Sequence, residues 1–119
     1  MKHIFFVAIL SVISIAASAQ SKLIGSWHTG DQNTVIKIEA QDGDYIGKMI
    51  SSDNPKARVG EIILKNIKVK KEAWTAKLYA PKRDAWYDVD LHKKDNKLEI
   101  RISVGFFSKT LNWTKIDTE

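Results

Sequence analysis

The sequence predicts an all-β fold: a small antiparallel up-and-down barrel of seven or eight strands that follows an N-terminal signal peptide. Three observations lead to this prediction. Apolar and polar residues alternate with a period of two along most of the chain after Gln20, so one face of each strand enters a core and the other meets water. Clusters of turn-forming residues separate the alternating runs. No amphipathic helix of useful length follows Ala19.

The first element is a segment with the composition of a bacterial signal peptide, residues 1–19. A short basic start is followed by the apolar stretch Ile4–Ala16, and Ala17 and Ala19 are small residues at the two positions that a signal peptidase reads. The apolar stretch is shorter than the ~20 residues that a membrane-spanning helix needs. We therefore expect a periplasmic or secreted protein in which residues 20–119 form one domain without a transmembrane span.

The composition limits how this domain is stabilised. The chain contains no cysteine, so disulfides and thiolate metal sites are excluded and the hydrophobic core acts alone. The net charge is +5, and lysines concentrate in segments 65–71 and 93–97. Such lysines are typical of solvated faces and of protected sheet edges. The alternative is attraction to anionic envelope components such as lipid headgroups or polysaccharide. Nothing in the composition predicts a cofactor.

The alternation places the strands in order along the chain. Ile36 and Ile38 alternate with polar neighbours, as do Tyr87, Val89 and Leu91 farther along. The predicted strands are 25–29, 34–40, 44–52, 61–70, 73–80, 85–92, 97–104 and 107–116. A meander of this length curls, and closing it removes both of its edges. A closed barrel is therefore our first choice of architecture, and an open sandwich is the second.

Turn signals define the connections between these strands. Asp42-Gly43-Asp44 is a hairpin turn in which glycine supplies a positive φ. Pro81–Asp84 and Lys94–Asn96 close two further hairpins. Residues 54–60 are the only region with room for a helical turn. Gly105 interrupts the final run and suggests a bend or bulge.

Several segments resemble known exported barrels. Gly25-Ser26-Trp27 is similar to the Gly-x-Trp opening of lipocalin-like (calycin) barrels, in which the tryptophan plugs one end. More specifically, the chain resembles the bacterial exported family called domain of unknown function 2147. The similar segments, in the same order, are Tyr45–Ile50, Asn54-Pro55 with Gly60, Trp74–Tyr79 with Pro81 and Tyr87, and Lys109–Lys115. The resemblance implies a small barrel, and this family has no established activity.

The two ends of such a barrel suggest a structural role for four residues. Pairing of the first and last strands would bring Trp27 toward Trp113 and Lys115, which together form an end plug. A lysine over an indole ring contributes ~0.5–2 kcal/mol. We expect Gly25 to be needed because a side chain there would block the close approach of the backbone. In the family that the chain resembles, arginine is commoner at the position of Lys115, and a glycine is usual in the loop that follows Pro81.

No arrangement of residues predicts catalysis. Beyond the predicted signal peptide the histidines are His28 and His92, and no nucleophile elbow accompanies them. Asp84, Asp88 and Asp90 lie close in one hairpin arm, but calcium normally needs about six to eight oxygens from a shaped loop. We therefore predict no enzyme activity, no catalytic residue and no metal site. Export also argues against nucleic acid as a partner.

Two kinds of binding function remain open, and the oligomeric state is not predicted. The first is non-enzymatic binding of a small apolar or amphipathic ligand inside the barrel, by analogy with the fold. Its candidate residues face inward: Ile36, Ile38, Met49, Trp74, Leu78, Tyr87, Val89, Ile102 and Phe107. The alternative is a barrel filled by side chains that contacts a protein, polysaccharide or anionic lipid through its outer surface. Its candidate residues flank or occupy one turn: Tyr79, Lys82, Arg83 and Trp86.

Overall fold

The computed structural model describes residues 22–116, so the predicted signal peptide, residues 1–19, lies outside the described residues. Within them the chain forms eight antiparallel strands. The strands are β1 (Gly25–His28), β2 (Val35–Gln41), β3 (Asp44–Ser51), β4 (Ile62–Lys70), β5 (Ala73–Ala80), β6 (Ala85–Lys94), β7 (Lys97–Val104) and β8 (Phe107–Lys115). Each strand pairs with its neighbours in sequence and β1 pairs with β8, so the sheet closes. The predicted barrel is confirmed, and the open sandwich is wrong. The described part has no helix that is long and apolar enough to span a membrane.

The turn residues explain why the strands end where they do. In the β2–β3 turn, Asp42 and Gly43 have φ values of 52° and 86°, and the residues on either side pair with each other. This is the two-residue geometry of a type I′ hairpin. Lys71 and Asp95 take left-handed positions in the β4–β5 and β6–β7 turns. Because these turns are tight, the observed strand ends lie within about two residues of the predicted ends.

The connection between β3 and β4 contains no helical turn. Instead, the Ala57 N–H donates to the Asn54 carbonyl at 3.0 Å, and the Glu61 N–H donates to the Arg58 carbonyl at 3.1 Å. Two successive turns therefore satisfy the backbone here. The expectation of room for a helical turn over residues 54–60 is not fulfilled.

The connection between β7 and β8 also differs from its prediction. Val104 pairs with Phe107, and Gly105 between them has a φ of 59°. Gly105 is therefore the first central residue of a two-residue hairpin turn, a position that favours glycine. It is not a bend or bulge within a strand.

The core depends on one irregularity in β4. The pairing of β4 with β5 shifts between Lys65 and Lys68, and Asn66 has a φ of 54°. The extra residue of this bulge allows Leu64 and Ile67 both to point inward. The strand predicted over residues 61–70 is present, but inward and outward side chains do not alternate strictly along it. The buried core comprises Leu23, Trp27, Ile36, Ile38, Ile63, Leu64, Ile67, Trp74, Ala76, Leu78, Val89, Leu91, Leu98, Ile100 and Trp113.

The seam that closes the barrel is short. β1 forms residue pairs with β8 only at Trp27 and His28, whereas β7 pairs with β8 from Phe107 to Thr114. Among the described strands, the earlier part of β8 thus has a partner on one side only. The β7–β8 hairpin extends past the end of β1.

Candidate functional site

Eight of the nine residues predicted to line a cavity are buried or half-buried, in an interior that the side chains of the core occupy. Ile36, Ile38, Trp74, Leu78 and Val89 are buried in the core, Met49, Tyr87 and Ile102 are half-buried, and Phe107 is exposed. Phe107 pairs with Val104 at the end of the hairpin, where β8 extends past β1, and 56% of its surface is exposed. Phe107 was predicted to face the interior only because it continues the alternation of apolar and polar residues. The concave surfaces described for this barrel lie on its outside.

One polar atom of the interior lacks a partner. Trp74 is buried, and its indole N–H at Nε1 has no acceptor among the described residues. Its neighbours across the ladders are Val69 and Leu91, which supply only apolar side chains. A buried donor without an acceptor costs about 1–3 kcal/mol. This atom would therefore attract the oxygen of a water or a ligand.

The predicted end-plug residues lie close together. Trp27 is fully buried, and its Nε1 donates to the Leu23 carbonyl at 2.9 Å. The Lys115 Nζ lies 5.7 Å from the centroid of the Trp27 ring and donates to the Ile24 carbonyl at 3.2 Å. Trp113 is buried in the same core. The ammonium group thus lies between an indole face and a backbone acceptor, which ties β8 to the segment before β1.

Gly25 lies against a side chain and not, as predicted, against a closely approaching backbone. A Cβ at this position would lie 2.9 Å from the Cε of Lys115, the flexible end of a side chain that can shift. Gly25 also has a φ of 138°, a conformation that side-chain-bearing residues rarely adopt.

An aromatic pair lies on the outer face of β5 and β6. Tyr79 and Trp86 are cross-strand partners, with ring centroids 5.3 Å apart and planes tilted by 51°. The Lys65 Nζ, on β4, lies 4.1 Å from the centroid of the Trp86 ring. We call Lys65, Tyr79 and Trp86 the aromatic patch. Its cation comes from β4, while Lys82 and Arg83 are exposed in the β5–β6 turn and have no ring contact in the described structure.

A hydrogen bond fixes one ring of the patch. The Tyr79 hydroxyl donates to the Asp84 Oδ1 at 2.5 Å. Because the carboxylate accepts the hydroxyl proton, it raises the pKa of Tyr79 above the ordinary value of 10.0. Asp84 has a φ of 48°, so an aspartate takes a left-handed position in the turn that lacks the expected glycine.

A concave surface of about 480 Å³ lies beside the aromatic patch, on the outer face of β4–β7. The pairs Lys77–Asp88 and Thr75–Asp90 cross from β5 to β6 on the same face as Tyr79–Trp86. We call this surface the outer groove. Its lining residues are Asn66, Lys68, Thr75, Ala76, Lys77, Asp88, Val89, Asp90, Arg101 and Ser103.

Charges of both signs line the outer groove, and several polar groups are free. The Lys77 Nζ donates to the Asp88 Oδ1 at 2.8 Å. Asp90 is in register with Arg101, but the Arg101 guanidinium lies 3.9 Å from Glu99 instead. The lining side chains without a hydrogen bond or ion pair to another described residue are Asn66, Lys68, Thr75, Asp90 and Ser103. These groups are available to a ligand.

The outer groove was not predicted from the sequence. Asp84, Asp88 and Asp90 were considered there only as calcium ligands, whereas in the structure Asp84 accepts a hydrogen bond from Tyr79 and Asp88 accepts one from Lys77. The available signal was the polar side of the alternation in β5–β7, which does not reveal a groove. Within residues 22–116, no group of three or more His, Asp or Glu side chains is arranged to hold a metal ion.

The fold and these surfaces define the protein as a small closed antiparallel β-barrel with a filled interior and a polar outer groove. The family described as "Uncharacterized protein conserved in bacteria (DUF2147)" matches residues 25–115, which span β1 to β8. The chain belongs to this family, as the resemblance in its sequence predicts. Searches of curated proteins and of solved structures give no match.

Proposed function

We propose that the protein is a non-enzymatic binding protein of the bacterial envelope that holds a neutral oligosaccharide, or a stretch of polysaccharide, in the outer groove. The supporting observation is a groove of about 480 Å³ lined mainly by polar side chains, together with the Tyr79–Trp86 pair that follows its Lys77–Asp88 pair along β5 and β6. The envelope location rests on residues 1–19, which have the composition of a signal peptide.

The polar lining of the outer groove suits a ligand rich in hydroxyl groups. Thr75 and Ser103 can donate or accept, Asp90 accepts and Lys68 donates. None of these side chains has a partner in the described barrel, so a sugar would not have to displace an internal hydrogen bond. Cations and carboxylates alternate across the groove, so a strongly charged ligand of either sign would meet like charges. This favours a neutral ligand.

The aromatic patch adds a surface for the apolar face of a sugar ring. Tyr79–Trp86 lies two residues along the strands from Lys77–Asp88, a distance of roughly 7 Å. The hydrogen bond from Tyr79 to Asp84 and the position of Lys65 over Trp86 hold the rings before a ligand arrives. Such preorganisation lowers the entropic cost of binding.

The distribution of tryptophans allows a direct binding test. Trp27, Trp74 and Trp113 are buried, whereas Trp86 is half-exposed, so iodide should quench mainly Trp86. We expect maltohexaose, cellohexaose or chitohexaose to protect Trp86 from iodide and to release heat in a calorimetric titration. The variant Asp90→Ala should weaken this binding about tenfold, because it removes a charged hydrogen-bond acceptor.

The matched control is Asp44→Ala, at the exposed start of β3 and outside the outer groove. This variant removes the same charge and should leave the affinity unchanged. Binding of none of the three hexasaccharides would refute the proposal. Equal losses in Asp90→Ala and Asp44→Ala would also contradict it, because they would indicate an effect of net charge alone.

The unpartnered indole N–H of Trp74 favours a second candidate, an amphipathic ligand inside the barrel with an acceptor headgroup at Nε1. Because the interior is filled, half-buried side chains such as Met49 and Ile102 would have to move. Native mass spectrometry should then show adduct mass, and an added fatty acid should quench Trp74 fluorescence. Trp74→Phe, which removes the N–H, should lose the adduct. Absence of both adduct and quenching would leave the outer groove as the remaining candidate.

A further inference from the structure

The hairpin between β7 and β8 ends in an exposed apolar tip. Val104, Gly105, Phe106 and Phe107 form this end, and we call these four residues the hairpin tip. Phe106 is fully exposed, Phe107 is 56% exposed and Val104 is 43% exposed. Three large apolar side chains are thus presented to solvent together, at the place where the hairpin extends past β1.

The geometry of the turn does not require these side chains. Gly105, with a φ of 59°, satisfies the conformational demand of the first central position. Phe106 takes the second central position, where polar or small residues serve equally well. A cluster of exposed apolar side chains of this kind marks a surface that a partner covers.

The up-and-down topology gathers further exposed apolar side chains at the same end of the barrel. Because successive strands are antiparallel, the β1–β2, β3–β4, β5–β6 and β7–β8 connections share one end. Ile50, near the end of β3, and Val59, in the β3–β4 connection, are both exposed there. Of the exposed large apolar residues that the structure describes, only Ile24 and Val69 lie toward the other end.

The charge of the hairpin indicates an anionic partner. From Ile100 to Ile116 the sequence contains no aspartate or glutamate, and it includes Arg101, Lys109 and Lys115. The β3–β4 and β5–β6 connections carry charges of both signs, and the β1–β2 connection carries only Asp31, so the excess of positive charge belongs to the hairpin itself. A second copy of the chain pairing along the free edge of β8 would bring cationic strands together, and lysine on an edge strand opposes such pairing.

We propose that the hairpin tip inserts into the headgroup region of an anionic lipid bilayer, with Phe106 and Phe107 as anchors and Lys109 near the lipid phosphates. Apolar burial and attraction of cations to anionic lipids act together at such an interface. The outer groove lies on the side of the barrel, so this contact is independent of the proposed saccharide site.

The absence of cysteine from the sequence allows a label to be placed at one chosen position. Ser108→Cys, directly after the hairpin tip, would carry an environment-sensitive fluorophore, and Glu72→Cys, in the β4–β5 turn at the opposite end, would carry the same label. Vesicles of phosphatidylglycerol and phosphatidylcholine should shift the emission of the first label to shorter wavelength and leave the second unchanged. Pure phosphatidylcholine vesicles and high salt should weaken the response.

The double variant Phe106→Ser/Phe107→Ser in the Ser108→Cys background tests the anchors. It should bind the anionic vesicles at least about tenfold more weakly, since each phenylalanine loses its burial in lipid. Near-ultraviolet circular dichroism checks that the barrel is intact, and the single variant Phe106→Ser, at a fully exposed position, serves if the double variant does not fold. No shift of the Ser108 label on anionic vesicles, or equal shifts of both labels, would overturn the proposal. So would a shift that follows protein concentration without lipid, which indicates self-pairing.

Discussion

At the scale of single residues, the Trp27 side chain joins β1 to the rest of the barrel. It is fully buried, it donates a hydrogen bond to Leu23, and Lys115 lies over its ring. Trp27→Ala should therefore lower the free energy of unfolding in urea by about 3–5 kcal/mol. Trp86→Ala, which removes a half-exposed indole from the outer face, is the control and should cost clearly less. A loss below about 1 kcal/mol for Trp27→Ala would show that the ring is not part of the core.

The hydrogen bond from Tyr79 to Asp84 predicts a pH dependence at alkaline pH. The carboxylate raises the pKa of Tyr79 in the folded protein above 10.0, so the stabilisation is complete below the ordinary pKa and is lost as the pH rises through the raised pKa. Asp84→Asn, which tolerates the left-handed backbone, should lower the pKa of Tyr79 toward its ordinary value. Ultraviolet titration of the phenol measures this shift. Asp88→Asn, whose partner is Lys77, should leave that titration unchanged, and equal shifts in both variants would contradict the assignment.

At the scale of the strands, β3 approaches β4 closely at Gly47. A Cβ at this position would lie 2.8 Å from the Leu64 Cβ and 3.2 Å from the Ile36 Cγ2, and both neighbours are fully buried. Gly47→Ala should therefore destabilise the barrel by about 1–3 kcal/mol through overpacking, as measured by urea unfolding. Ser51→Ala, at an exposed position of the same strand, should change stability by less than about 0.5 kcal/mol. If Gly47→Ala left the free energy of unfolding unchanged, β3 and β4 would be able to move apart at no cost in stability, and the prediction would be wrong.

The strands themselves were predictable because each local signal agreed with the global fold. Ile36 and Ile38 in β2, and Val89 and Leu91 in β6, alternate strictly and are buried as expected. The bulge in β4 was not predicted, although Asn66, which takes a left-handed backbone there, belongs to a residue type that tolerates this conformation. The path of the connection between β3 and β4 was also not predicted, because it is determined by backbone hydrogen bonds.

At the scale of the whole molecule, the closure of the barrel could be predicted from the number of strands, but the positions of its candidate binding surfaces could not. Phe107 belongs by alternation to the inward face, and it is exposed because β8 extends past β1. The outer groove is lined by side chains from four neighbouring strands, and its presence is not specified by the alternation of residues along any one of them. Whether side chains fill the interior likewise depends on their summed volumes, which the alternation of residues does not give. A family resemblance could therefore be recognised from the sequence, whereas the candidate binding surfaces required coordinates.

The two-pair seam between β1 and β8 also bears on the order in which the protein folds. Because the first strand can complete its hydrogen bonding only with the eighth, the closed state cannot form while a ribosome still holds β8. The contacts of greatest sequence separation are thus made last, and pairing of such distant segments is intrinsically slow. Closure of the barrel therefore awaits release of its last strand.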